Sequence, residues 1–156
     1  PACRLLSEIL AGYRGAAFAG FLRVNTEMDP RPAMAEASAH GAVGVPVITA
    51  CATPLEFARW SPGVVMVEGA FKAHIPADIE WMIPEIVIVP LVAWDETGGR
   101  LGYGGGFYDR TLEGLRARGP VLAIGFAFNV QQVYDLPLEV TDQPLDMIVT
   151  EDRVLT

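Results

Sequence analysis

Four glycines fall within five residues, Gly102, Gly104, Gly105 and Gly106, and the run opens directly into Phe107, Tyr108, Asp109 and Arg110. Glycine tolerates positive φ and lets an anion approach main-chain N–H groups without meeting a Cβ, so a polyglycine turn at a helix N-terminus suits a polyphosphate. An aspartate in the first turn of that helix is placed to bind Mg²⁺ carried by the same phosphates. Two familiar loops are excluded by spacing. No Gly-Lys-Ser/Thr follows, and Phe107 stands where a dinucleotide fingerprint needs its third glycine. The same residues also suit a plain strand-to-helix connection, since Asp95-Glu-Thr-Gly-Gly99 ahead of them is an ordinary turn sequence.

A helix must present this turn, and the sequence supplies one. Tyr108, Thr111, Leu112 and Leu115 share a helical stripe, and Arg116 and Arg118 complement the C-terminal dipole before Gly119-Pro120. Upstream, Leu5, Leu6, Ile9 and Leu10 predict a helix from Arg4 to Gly12. The alanine-rich run after Pro30 and Pro32 predicts another, closed by Gly41. Strand-like runs lie at 16–24, 43–50, 64–67, 86–92, 121–128 and 147–150. The run at 86–92 is too continuously apolar for a sheet with a wet face. Helices alternating with such runs predict an α/β fold: a mostly parallel central sheet of about five or six strands, helices on both faces, three layers, open edges. Ligands in such sheets collect at the carboxyl ends of the strands.

The chain has 156 residues, 51% of them apolar and 19% charged, enough for one core and one domain over 1–156. A net charge of −8 argues against nucleic acid or an anionic membrane as partner. No apolar run approaches a bilayer span and no secretory signal is evident, so a cytoplasmic location and a monomer or weak homo-oligomer are expected. Cys3 and Cys51 show no disulfide or zinc spacing and are expected to be reduced and structural; His40 and His74 are expected at the surface.

Three blocks then occur in order: Ile88-Val-Pro-Leu-Val-Ala-Trp-Asp95, Leu101-Gly-Tyr-Gly-Gly-Gly-Phe-Tyr-Asp-Arg110 and Thr141-Asp142-Gln-Pro-Leu-Asp146-Met-Ile-Val-Thr150-Glu151. Together they resemble the 5-formyltetrahydrofolate cyclo-ligase family, also called 5,10-methenyltetrahydrofolate synthetase. The resemblance implies a ligase that uses ATP and Mg²⁺ to convert 5-formyltetrahydrofolate, a reduced folate, into 5,10-methenyltetrahydrofolate, releasing ADP and phosphate. It implies that Gly102, Tyr103, Gly104, Gly105, Gly106, Phe107, Tyr108, Asp109 and Arg110 bind ATP, and that Asp109 and Asp142 hold Mg²⁺, with Asp146 close by. Tyr108 and Arg110 are the implied catalytic side chains, and Glu27 and Tyr108 the implied folate contacts; Trp60 and Phe71 suit the walls of a folate pocket, but also read as ordinary buried aromatics. From the residues alone, Tyr108 also reads as core-facing, and Asp142 and Asp146 as a strand-entry turn.

The sequence departs from the family pattern in two places. Phe107 replaces a tyrosine found in many members. A basic helix carrying a Lys and an Arg toward the ATP phosphates is expected ahead of the region where this sequence starts, at Pro1. On that reading the chain folds but turns over poorly. The alternative reading is a catalytically weak folate- or nucleotide-binding module on the same scaffold.

Overall fold

The computed structural model describes residues 2–13, 15–23, 27–69, 73–95, 100–101, 106–133 and 143–156. Its centre is a sheet of eight strands: β1 (Phe18–Ala19), β2 (Val43–Val47), β3 (Glu56–Arg59), β6 (Trp81–Met82), β7 (Ile86–Val89), β10 (Leu122–Phe126), β11 (Met147–Val149) and β12 (Val154–Leu155). Their order is β12-β11-β10-β7-β1-β2-β3-β6. The inner five pair in parallel, with β1 between β2 and β7; β12, β3 and β6 join antiparallel at the edges. Two ribbons lie outside this sheet, β4 (Met66–Glu68) with β5 (His74–Pro76), and β8 (Ala93–Trp94) with β9 (Arg100–Leu101).

The continuous apolar run of β7 has the structural cause expected for it. Ile86 and Ile88 face one core cluster while Val87 and Val89 face the other, and all four are buried. Each such side chain contributes roughly 1.5–3 kcal/mol of apolar burial. The first cluster lies under α1 (Ala2–Ala11) and α2 (Arg31–Ser38), which deliver Leu6, Leu10, Ala33 and Met34. The second lies under α3 (Phe107–Arg118), which delivers Leu112. The three-layer α/β architecture read from the sequence is thus present, with two helices on one face and one on the other among the described residues.

Differences from the sequence reading are local. Among the described residues of the run at 16–24 only Phe18 and Ala19 form strand, and β3, β5, β6, β8, β9 and β12 carried no periodic signal, each being short and paired antiparallel. His74, expected at the surface, is exposed at the start of β5. Asp29, one residue ahead of the Pro30 N-cap of α2, accepts the Arg31 backbone N–H at 3.1 Å and grips the Arg31 guanidinium at 2.9–3.0 Å. Burial opposes ionisation of the Asp29 carboxyl, but the Arg31 contacts outweigh it and hold the group below its ordinary range. Among the described residues no helix is long and apolar enough to cross a membrane.

The two thiols differ in setting. Cys51 is exposed, so a packing role fails for it, whereas Cys3 is half-buried and donates to the Asp29 carbonyl oxygen at 3.1 Å. Burial pushes the Cys3 thiol up from its ordinary value, lowering its thiolate fraction. A disulfide reagent at mildly alkaline pH is therefore expected to modify one thiol quickly and one slowly, with Cys51→Ser removing the fast phase. Equal rates at the two thiols would contradict this packing of α1.

Candidate functional site

The amino end of α3 lies at the carboxyl edge of the sheet, because α3 is the crossover between the parallel strands β7 and β10. Gly106 forms its N-cap with φ 68° and ψ 11°, the left-handed conformation for which glycine is suited. The Arg110 N–H donates to the Gly106 carbonyl oxygen at 3.1 Å, starting the helical ladder. The Arg110 side chain folds back over this glycine, so that a Cβ there would lie 3.4 Å from the guanidinium. First-turn N–H groups of a helix have no intrahelical acceptors, so α3 presents a partial positive charge beside Asp109 and Arg110.

Side chains of α3 lock this end to two distant segments. Thr111, almost fully buried, accepts the Leu55 N–H at 2.8 Å and donates to the Phe107 carbonyl oxygen at 2.6 Å. Asp109 Oδ1 accepts the Gln143 N–H at 2.9 Å, across 34 residues of sequence. Arg116 donates to Gln143 Oε1 at 3.1 Å, to the Pro144 carbonyl oxygen at 2.9 Å and to Asp146 Oδ2 at 3.1 Å. The same Asp146 oxygen accepts the Ala123 N–H at 2.8 Å. Asp146 is therefore committed to joining α3, β10 and the entry to β11.

The neighbouring strand ends are pinned as firmly. Gln131, in the 3-10 turn Asn129–Gln131 after β10, donates to the Leu91 and Val92 carbonyl oxygens at 2.8 and 3.1 Å and accepts the Phe128 N–H at 2.7 Å. Fully buried Trp94 donates its indole N–H to the Phe128 carbonyl oxygen at 3.1 Å. The Arg153 guanidinium lies 5.6 Å over the Trp94 ring and donates to Gln132 Oε1 at 2.7 Å. The ribbon β8–β9 is thus held against the turn after β10 before it hands the chain to the glycine run.

Of the residues singled out in the sequence, Gly106, Phe107, Tyr108, Asp109 and Arg110 occur together on the first turn of α3. Tyr108 is partly buried against the cluster beneath that helix, the core-facing position that the stripe predicts, and Phe107, which was not on the stripe, packs against the same cluster. Glu27, beyond the carboxyl end of β1, is buried, and Trp60 packs in the same cluster as its neighbour Met28. Gly102, Tyr103, Gly104, Gly105, Phe71 and Asp142 lie outside the described residues. Asp95, Arg116, Gln131 and Gln143 were not foreseen as parts of this edge. Asp95 is buried immediately after β8, and its only sequence signal is a charge closing an apolar block. Thr111 was read as one more member of the apolar stripe, yet it is a polar cross-link. Among the described residues no three or more of His, Cys, Asp and Glu gather as a metal cluster.

Comparison with known proteins follows the same geography. The model of the 5-formyltetrahydrofolate cyclo-ligase family matches residues 35–151, which include both segments joined by Asp109 and Gln143. The 5-formyltetrahydrofolate cyclo-ligase of Escherichia coli strain K12 is 37% identical over 141 residues, covering 86% of this chain and 77% of that protein. The protein of the same description from Haemophilus influenzae is 40% identical over 101 residues, covering 61% of this chain and 54% of that one. The solved structure of Aquifex aeolicus 5,10-methenyltetrahydrofolate synthetase superposes with a TM-score of 0.76 at 27% identity, covering 99% of this chain and 80% of that chain.

Two substitutions probe how the helix start is held. Thr111→Val keeps shape but leaves the buried Leu55 N–H without its acceptor, an expected loss of about 1–3 kcal/mol. Gly106→Ala forces an L-residue into the left-handed region, an expected loss of roughly 1–2 kcal/mol. Urea denaturation measures both. A Thr111→Val midpoint equal to that of the unsubstituted chain would mean that Leu55 is not held through this hydroxyl.

Proposed function

The chain belongs to the 5-formyltetrahydrofolate cyclo-ligase family, a family of ligases, and we propose that it uses ATP and Mg²⁺ to cyclise 5-formyltetrahydrofolate to 5,10-methenyltetrahydrofolate. The observation that carries this reading is the contact between Asp109 and Gln143. It joins the glycine-rich block to the block containing Asp142, two segments that the reaction requires in one place.

The formyl group of the substrate is an amide, a poor electrophile whose oxygen is a poor leaving group. Phosphorylating that oxygen makes it a good one, and the nitrogen at position 10 of the same molecule then closes the ring as phosphate departs. Because both partners in ring closure belong to one molecule, the protein's task is orientation and charge stabilisation. Gly102, Tyr103, Gly104, Gly105, Gly106 and Phe107 are assigned to the phosphates of ATP. The left-handed Gly106 at the N-terminus of α3 supports that assignment, since such a turn at a helix start favours main-chain N–H contacts to an anion. Arg110, folded over Gly106, is assigned to the charge on the transferring phosphoryl group. Glu27 and Tyr108 are assigned to the folate, with Tyr108 also orienting the reacting end; burial of Glu27 beyond the carboxyl end of β1 supports a role near the strand-order reversal between β1 and β7.

Asp109 and Asp142 are the residues that would hold Mg²⁺. Asp109 fits the ion: it is a hard oxygen donor at a helix start built for phosphate, and Mg²⁺ needs only one or two carboxylates beside phosphate oxygens and water. When bound, the ion neutralises charge on the phosphates and fixes their geometry.

The test is a turnover assay with purified protein. Near-ultraviolet absorbance of the methenyl product is expected to rise only when 5-formyltetrahydrofolate, ATP and Mg²⁺ are all present, with stoichiometric release of ADP. Asp109→Asn is expected to reduce turnover by about 10²-fold or more while leaving circular dichroism unchanged. Product formed equally well without ATP would sink the proposal, and nucleotide binding with no turnover would favour a binding module instead.

A further inference from the structure

Asp109 and Arg116 are seven residues apart on α3, about two turns and ~10 Å along the same helical face. They grip one residue from its two ends. Asp109 Oδ1 accepts the backbone N–H of Gln143 at 2.9 Å, and Arg116 donates to its side-chain Oε1 at 3.1 Å. The remaining Arg116 contacts, to Pro144 and Asp146, fix the chain just beyond it. Residues 143–145 belong to no helix or strand, so no ladder of backbone bonds holds the Gln143 N–H in place.

We propose that Arg116 is a positioning residue for the metal-binding carboxylate, acting through Gln143 to set the rotation of Asp109. This rests on the functional reading above. A carboxylate whose Oδ1 is bonded to a fixed N–H has its plane fixed, and with it the directions in which its lone pairs face a cation. If the donor drifts, the plane drifts with it. Arginine suits the task because its planar fork serves three acceptors at once, which the point charge of a lysine does not match. The side chain is also shielded, 23% exposed, so its contacts are less weakened by solvent than those of a surface ion pair.

The experiment titrates Mn²⁺, as a paramagnetic stand-in for Mg²⁺, into the protein saturated with a non-hydrolysable ATP analogue, following water-proton relaxation. A parallel Mg²⁺ titration follows turnover. Arg116→Ala is expected to weaken Mn²⁺ binding and raise the Mg²⁺ half-saturation by roughly 10-fold, the usual cost of removing an outer partner of a metal ligand. At saturating Mg²⁺, kcat should stay near that of the unsubstituted chain, and Arg116→Lys should recover part of the affinity. Gln143→Leu removes Oε1 but keeps the backbone donor and the Arg116 ties to Pro144 and Asp146, and is expected to weaken Mn²⁺ binding in the same direction by a smaller factor; it decides the question alone if Arg116→Ala does not fold. Unchanged Mn²⁺ affinity in the folded variant, with only a lower melting temperature, overturns the proposal and makes Arg116 a structural tie. Absence of Mn²⁺ binding in the unsubstituted chain overturns the metal reading itself, and the proposal with it.

Discussion

The arrangement depends on how the amino end of α3 is anchored, through oxygens of its own side chains that accept N–H groups from distant segments. Helix starts are commonly closed by a side chain that turns back onto their first N–H groups, and Gly106 has no side chain with which to do so. The anchoring comes instead from Asp109 and Thr111, whose oxygens accept N–H groups of Gln143 and Leu55 from elsewhere in the chain. Holding the helix by what its side chains accept ties its start directly to two other parts of the chain. The cost is dependence on distant segments: two regions far apart in sequence must be in place before the helix start is fixed.

The sheet makes that possible. With β7 and β10 adjacent and buried on both faces, the segments leaving their carboxyl ends emerge side by side, close enough for the single Gln131 side chain to bond both. Gly125 contributes to the closeness: a Cβ there would lie 2.7 Å from Leu145 and 2.9 Å from Leu91, so the bare backbone lets both leucines settle against β10. The packing that hides the parallel strands and the packing that steadies the site edge therefore share residues. The proposed phosphoryl transfer fits this economy, since such a reaction asks a protein chiefly to hold its reactants still.

Much of this was legible in the sequence where a signal repeats. The stripe of α3, the buried run of β7 and the alternation of helices with apolar runs each involve several residues acting alike, and periodic burial is what a one-dimensional pattern can carry. Glycine at 106 was legible for a different reason, because positive φ restricts residue type strongly. The antiparallel edges were not legible: β6 and β12 are two residues each, stabilised by pairing with a neighbour that the local sequence does not name. Nor were the ties at the site edge. Arg116 reads as an ordinary C-terminal cation and Gln131 as a polar loop residue, and only the folded chain shows that each serves several acceptors.

The strand order also bears on how the chain reaches this state. Phe18 in β1 pairs with Val43 on one side but with Ile86 on the other, so the centre of the sheet cannot close until much of the chain is available. The partners of α3 come later still, since Gln143 and Asp146 follow β10. Contacts so separated in sequence are reached slowly, after nearer pairings have formed. During synthesis from the amino end, β1, β2 and β3 are available to one another long before the α3 start acquires its far anchor. The scaffold and the start of α3 are thus separate events in time, and a chain interrupted before residue 143 would carry the glycine run without the contact between Asp109 and Gln143.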